Sequence, residues 1–194
     1  MNYVLKRKAY YLLISFLIVF ISLRLTGQDQ KIADSLKRID QQTMLGDTAR
    51  LELLLNLSFN EVNDLNLSLK YANELIQLSK QLGNDLYLFK GYFQQGNKQR
   101  LLGNLEKALD AYMKGGEVAR KIKSDLNEGN TCVAIADIYS VSGNHKNAML
   151  YYYKAIASLR KAKDSVALAS ALLNTGDEFL KNNIYDSAFI FFKE

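Results

Sequence analysis

LLGNLEKALDAY (101–112), VSGNHKNAMLYY (141–152) and KNNIYDSAFIFF (181–192) align without a gap at a spacing of forty residues. Each stretch has a polar break, then an alanine, then an aromatic residue four positions after the alanine. A fixed period of this length is typical of a stacked repeat architecture, because one unit buries its apolar face only against its neighbours. The recurring positions are Ala108, Ala148 and Ala188, followed by Tyr112, Tyr152 and Phe192.

Regular polar breaks divide the rest of the chain into helices. One set consists of residues that favour helix N-caps, at Asp47, Asn84, Ser124 and Asp164. The other set contains mostly glycine and asparagine, which take the left-handed conformation that ends a helix. The sequence therefore predicts an all-α, right-handed solenoid of helix-turn-helix units with a period of roughly 40 residues. The predicted pairs are 48–62 with 64–82, 85–102 with 104–122, 125–142 with 144–162, and 165–181 with 184 onward.

An additional helix is predicted ahead of these pairs, within residues 28–46. Ile32, Leu36 and Ile39 follow the spacing of one helical face, so this segment is amphipathic.

The repeated unit resembles the tetratricopeptide repeat family. That family has a small residue in its first helix and an aromatic three positions later, and here the small residue is Gly96, Ala136 or Gly176. Tyr139 and Phe179 occupy the aromatic position, and the recurring alanines follow twelve residues after the small residue. The resemblance covers 48–194, as repeats 48–82, 85–122, 125–162 and an incomplete 165–194.

The chain departs from the family pattern in three respects. Gln95 and Gln99 stand where the second pair should have apolar residues. The proline that usually closes the unit is absent from the whole chain. The period is forty rather than about 34 residues, which we interpret as a longer second helix with unchanged topology.

The family resemblance implies a concave surface lined by the first helices. An apolar strip of Phe93, Val133 and Leu173, flanked by polar residues, would suit an extended or helical peptide. The alternative is that these three side chains pack between adjacent repeats. The candidate peptide groove consists of Lys90, Phe93, Asn97, Arg100, Asn130, Val133, Asp137, Leu173 and Asp177.

No catalytic, metal or cofactor site is predicted. The single histidine, His145, lies in a turn, and the sequence offers it neither an orienting partner nor a pocket. The single cysteine, Cys132, falls at a packing position of a first helix, where an inert thiol is expected. We therefore expect these residues to form a non-enzymatic binding module.

The N-terminal segment indicates export. Basic residues at 6–8 precede an apolar run over 9–23, which is interrupted only by two serines and is short for a membrane span. Residues 1–27 are therefore predicted to be a signal peptide, with an uncleaved anchor as the alternative. They carry 4 of the 25 basic residues and no acidic ones, leaving 21 basic against 20 acidic residues. A nucleic-acid partner is not expected, because such binding needs a concentrated basic surface.

The last helix pair leads to an expectation about the whole protein. Residues 184–192 are rich in large apolar side chains, which would need a further partner, so we expect the natural protein to continue or to self-associate here. By resemblance in architecture, the chain is expected to be the periplasmic sensory part of a bacterial membrane signalling protein. Such proteins end in a histidine kinase, a nucleotide cyclase or a transcriptional output domain. The alternative is a self-contained periplasmic adaptor in an envelope assembly.

Overall fold

The structure is a computed structural model that describes residues 30–40 and 45–193. Helix α1 covers residues 30–40. The helices that follow are α2 (Asp47–Asn60), α3 (Leu65–Gln81), α4 (Asp85–Leu101), α5 (Leu105–Lys121), α6 (Asp125–Val141), α7 (His145–Ala162), α8 (Ser165–Lys181) and α9 (Tyr185–Lys193). Consecutive helices pack against each other from α2 to α9. The described residues contain no strand, so the predicted all-α repeat solenoid is confirmed.

The turns between helices recur every twenty residues. A residue with positive φ closes each helix from α3 to α8, at Gly83, Gly103, Lys123, Gly143, Lys163 and Asn183. The following residue begins the next helix, and its side chain accepts a backbone N–H bond in α4, α6, α7 and α8. Each of these connections reverses the chain within two or three residues, so neighbouring helices run antiparallel.

Small residues allow the two helices of each pair to approach closely. A Cβ atom added at Gly96 would lie 2.5 Å from the ring of Tyr112, and one added at Gly176 would lie 2.3 Å from the ring of Phe192. In the third pair Ala136 is fully buried beside Tyr152. The recurring aromatic of the second helix therefore packs directly onto the small residue of the first, as the forty-residue alignment predicts.

Helix α1 is held to the first pair by polar contacts. Glu61, at the end of α2, is buried, and it pairs with Lys37 and accepts a hydrogen bond from Gln30. Arg50 pairs with Asp40 at the other end of α1. Of the residues on the amphipathic stripe, Ile32 and Ile39 are exposed, while Ala33, outside the stripe, is fully buried.

Within 30–40 and 45–193, no helix combines the length and the apolar composition needed to cross a bilayer. The segment 1–27, predicted to be a signal peptide or anchor, lies outside the described residues.

Candidate functional site: the inner surface of the first helices

The first helices contact one another directly, α2 with α4 and α6 with α8. The side chains on this inner surface form two recesses that share Phe93. One recess lies between α2 and α4, measures about 290 Å³ and is mostly aromatic and aliphatic, with Phe59, Phe89 and Lys90 in its wall. The other lies among α4, α6 and α8 and measures about 370 Å³. We call the two recesses together the inner groove.

The larger recess combines an apolar floor with polar walls. Phe93, Val133, Ala134 and Ala167 supply apolar surface, and Arg100 stands exposed at the edge. Its remaining lining residues are Asn97, Tyr112, Asn130, Asp137 and Ser170. An apolar floor provides affinity for a ligand side chain, while the few polar groups fix its orientation.

Tyrosine hydroxyls of the second helices orient two of these polar residues. The Tyr112 hydroxyl donates to Asn97 Oδ1 at 2.8 Å, and the Tyr152 hydroxyl donates to Asp137 Oδ1 at 2.6 Å. Both pairs occupy the same place in successive repeats. Asn97 and Asp137 are therefore fixed in position by residues of the repeat core.

Asp137 is the most unusual of these groups. Burial raises the pKa of its carboxyl, although the Tyr152 hydroxyl, the charge of Arg100 and the amide of Asn174 act in the opposite direction. The Asn174 amide also donates to Oδ1, at 3.3 Å, so both donors reach the same oxygen. Among the described residues, Oδ2 of Asp137 has no hydrogen-bond donor. A half-buried carboxylate with a free oxygen in a recess is a candidate for ligand recognition.

We expect Asp137→Asn to raise the free energy of unfolding at neutral pH. The folded-state pKa of Asp137 lies above its unfolded value, so ionisation costs stability once the pH rises through the folded-state pKa. Asparagine keeps an oxygen that can accept from Tyr152 and removes the partly desolvated charge. The gain should shrink as the pH falls through the ionisation of Asp137, and urea unfolding from pH 7 down to pH 3 would measure it. Asp177→Asn is the matched control because Asp177 is exposed, and an equal gain there would contradict this account.

Seven of the nine residues predicted for the groove line its two recesses. Six surround the larger recess, namely Phe93, Asn97, Arg100, Asn130, Val133 and Asp137, and Lys90 lines the smaller one. Lys90 also lies over the ring of Tyr87, with Nζ 4.7 Å from its centroid. Leu173, which is 53% exposed, and Asp177 lie on α8 outside both recesses. Phe93 and Val133 are half-buried, so they both pack between repeats and face the groove.

The last pair differs from the two before it. Phe192 stands where Tyr112 and Tyr152 stand, so it has no hydroxyl to donate to Asp177. Asp177 is consequently exposed, while Asp137 is held by Tyr152. The sequence prediction identified these tyrosines only as packing residues and missed their role as hydrogen-bond donors to the groove. An Asn or Asp stands fifteen residues before each of these tyrosines, and that spacing would have indicated the hydrogen bonds.

The structure defines the surroundings of the single cysteine and the single histidine. Burial raises the pKa of the Cys132 thiol to about 11, which leaves the thiol protonated at neutral pH and disfavours its use as a nucleophile. His145 does have an orienting partner that the sequence did not reveal, because its Nδ1 lies 2.5 Å from Oε1 of Glu178. In 30–40 and 45–193, no three His, Cys, Asp or Glu side chains are grouped as metal ligands would be.

Comparison with known proteins gives similarity in fold alone. No protein-family model matches the sequence, and no curated protein is similar to it. Three solved structures illustrate the match. A signal transduction ATPase with numerous domains and a tetratricopeptide repeat sensor, from Pyrococcus horikoshii, is 19% identical with a TM-score of 0.73, over 90% of this chain and 27% of that one.

The second is a Rap protein complexed with Competence and Sporulation Factor, 16% identical with a TM-score of 0.73 over 82% of this chain and 46% of that one. The third consists of kinesin light chain TPR-like repeats from Podosopora anserina, 12% identical with a TM-score of 0.68 over 89% of each chain. This chain thus spans about half of the Rap protein and about a quarter of the ATPase. The chain has the fold of the tetratricopeptide repeat proteins.

Proposed function

We propose that this chain binds an extended segment of a partner protein or peptide in the inner groove, without catalysis. The observation that carries the proposal is the larger recess, in which a floor built on Phe93 and Val133 lies between the exposed Arg100 and the free oxygen of Asp137. A ligand would place an apolar side chain on the floor. Its acidic group would face Arg100, and a donor group would face Asp137.

The similarity to the Rap protein supports ligand binding by a chain with this fold. That protein has this fold and is complexed with Competence and Sporulation Factor. Because the two chains are only 16% identical, the residues that contact a ligand must be argued from this chain alone. The groove residues above provide that argument.

We further propose that the repeats work outside the cytoplasm, as the sensory N-terminal part of a larger bacterial transmembrane signalling protein. The support is the apolar run over 9–23 behind a basic cluster, which is typical of an export segment. A ligand bound outside would then be reported through a histidine kinase, a nucleotide cyclase or a transcriptional output domain. A periplasmic adaptor without an output domain is the competing hypothesis.

Charge reversal at Arg100 tests the groove. Phage-displayed random peptides selected on the full chain should bind Arg100→Glu at least tenfold more weakly, because one charge-assisted contact is worth about 1.5–3 kcal/mol. Lys146→Glu is the matched control, since Lys146 is exposed on α7 and lines neither recess. Both residues are exposed, so neither change should unfold the chain. Peptides that bind both variants with wild-type affinity would contradict the groove assignment.

Cell fractionation tests the compartment. An antibody against residues 85–182 should detect a membrane-associated product well above 22.0 kDa, which is the mass of this chain. Protease added to spheroplasts should degrade the repeats. A soluble periplasmic product near the mass of the chain would favour the adaptor, and repeats protected from protease would contradict both versions.

A further inference from the structure

A third recess, of about 490 Å³, lies on the opposite side of the solenoid from the inner groove. It runs between the second helices α3 and α5 and is floored by α4. Ile76, Tyr92, Gln95 and Gln99 form its floor and sides, all of them partly or fully buried. We call it the outer recess. Its volume falls in the range of small-molecule sites.

The same place one repeat later shows that the outer recess is a specific feature of this pair. The corresponding hollow between α5 and α7 measures about 190 Å³. Ile135 stands there in place of Gln95, and Cys132 in place of Tyr92. Tyr151, at the position of Ala111, fills the space and stacks on Tyr139 with ring centroids 5.6 Å apart.

The following repeat uses the same filling. Phe191 stacks on Phe179 with centroids 5.4 Å apart, at the positions held by Tyr151 and Tyr139. In the outer recess the equivalent pair is Ala111 with Gln99. In the two later repeats an aromatic stack thus fills the space between the second helices. In the earlier repeat the space is empty and is lined by glutamines. Gln95 and Gln99, which break the family pattern, are explained by this opening.

The rim of the outer recess is basic. Lys80, Lys107 and Lys114 stand around it against a single carboxylate, Asp110. Asp110 accepts from Lys114 at 2.6 Å, and Lys80 lies 5.5 Å from the centroid of the Tyr92 ring. Lys107 has no ion-pair or hydrogen-bond partner among the residues that the structure describes. Two ammonium groups are therefore left without a carboxylate in a chain whose residues after 27 are nearly balanced in charge.

The floor adds neutral hydrogen-bonding groups. The Gln95 amide donates to Asn73 Oδ1 at 2.7 Å, and Gln99 Oε1 accepts from Asn104 at 2.9 Å. The amide donor of Gln99 is left without a partner within the described residues. An ammonium rim above amide donors provides both charge and directed hydrogen bonds for an anion.

We infer that the outer recess is a binding site for a small polyanion that bears phosphate groups. The recess holds three ammonium groups against one carboxylate, and it is large enough for a short polyphosphate or a phosphorylated small molecule. Lysine suits phosphate as a compact point charge, while planar carboxylates favour the bidentate fork of arginine, which the rim lacks. The site lies on the second helices, so it is separate from the proposed peptide groove and does not depend on it.

Isothermal titration of the full chain with inorganic tripolyphosphate tests this inference. We expect one site per chain, with affinity that falls as salt is added. Lys80→Gln combined with Lys107→Gln should weaken binding by about tenfold or more, since each removes one charge-assisted contact. The matched control is Lys146→Gln with Lys161→Gln, which makes the same change in net charge on exposed positions of α7.

A second variant removes the recess while leaving the lysines in place. Gln99→Tyr with Ala111→Tyr introduces the aromatic pair of the next repeat, and it should abolish tripolyphosphate binding while far-UV circular dichroism stays unchanged. Equal weakening by the control lysines would overturn the site, because the attraction would then be that of the whole surface. No detectable binding by the wild type at millimolar tripolyphosphate would also overturn it. If citrate bound as tightly as tripolyphosphate, the proposal that the recess prefers phosphate groups over carboxylates would be wrong.

Discussion

Tyr112→Ala is expected to lower the free energy of unfolding by about 3–5 kcal/mol, the usual cost of removing a fully buried aromatic side chain. Tyr112 is 1% exposed and packs among Ala108, Ile135 and Ile138. Its ring also fills the space above Gly96, where the two backbones of the second pair come closest. Alanine would leave a cavity at the junction of α4, α5 and α6, which the rigid helices cannot collapse to fill.

The effect should be local before it is global. In a solenoid each repeat contacts only its neighbours, so loss of this side chain weakens the junction between the second and third pairs most. Hydrogen exchange should therefore accelerate first in α4 and α5 and later in α7 and α8. Urea denaturation gives the total cost.

Two variants separate packing from hydrogen bonding at this position. Tyr112→Phe keeps the ring and loses the 2.8 Å bond to Asn97, so it should cost only about 1 kcal/mol. Met113→Ala is the matched control on the same helix, because Met113 is exposed. If Tyr112→Ala cost no more than Met113→Ala, the recurring aromatic would not be a core residue and the alignment of repeats would lose its physical basis.

The sequence predicted the features of the fold that depend on a single residue type, such as a buried alanine between paired helices or a glycine in a turn. Alanine at 108, 148 and 188 is buried in all three repeats, because only a small side chain fits between the paired helices. Glycine at 103 and 143 adopts positive φ, as its freedom from Cβ clashes allows. Repetition strengthens each of these inferences, since the same reason applies at three positions.

The turns at Lys123 and Lys163 show what residue type alone does not reveal. Both lysines adopt positive φ, a conformation that lysine does not favour, at the places where Gly83 and Gly103 stand in the earlier connections. The period of twenty residues, and not the residue itself, would have predicted it.

The groove was predicted less completely than the fold. Phe93, Val133 and Asp137, which helical spacing assigned to the inner surface, line the recesses, whereas Leu173, assigned to the same strip as Phe93 and Val133, lies outside both. Spacing identifies the face of a helix, but it does not determine where neighbouring side chains leave a hollow. The outer recess depends on the absence of an aromatic stack at Gln99 and Ala111, a feature visible only when the repeats are compared in three dimensions.

Glu178 illustrates a contact that no local pattern could reveal. It occupies the position of Lys98 and Ile138 in the earlier repeats, so the period predicts burial but not the carboxylate. The carboxylate is fully buried, with Ser140 Oγ donating to Oε2 at 2.5 Å and His145 Nδ1 at 2.5 Å from Oε1. Lys181 Nζ lies 3.6 Å from Oε2 and donates to Ser140 Oγ at 2.7 Å. These residues come from α6, α7 and α8, so they join the third pair to the fourth.

Glu178→Ala is expected to lower the free energy of unfolding by about 3 kcal/mol at neutral pH. Breaking a buried charged pair from one side costs about 3–5 kcal/mol, and the lower end applies because His145 and Lys181 are exposed enough to be hydrated after the change. Glu178→Gln keeps the shape and removes the charge, so it should cost less. Asp177→Asn is the matched control, since it removes an exposed carboxylate from the neighbouring position of the same helix.

The pH dependence gives this prediction its sharpest test. Burial alone would raise the pKa of Glu178, but the hydrogen bonds from Ser140 and His145 and the charge of Lys181 hold it below its ordinary value of 4.5. A carboxyl with a lowered folded-state pKa stabilises the protein above its unfolded pKa, and that contribution disappears as the pH falls through the folded-state value. The difference between wild type and Glu178→Gln should therefore be full at pH 7 and shrink below about pH 4.5. A difference that stays constant over this range would mean that Glu178 contributes by packing, and that its charge does not join the two repeats.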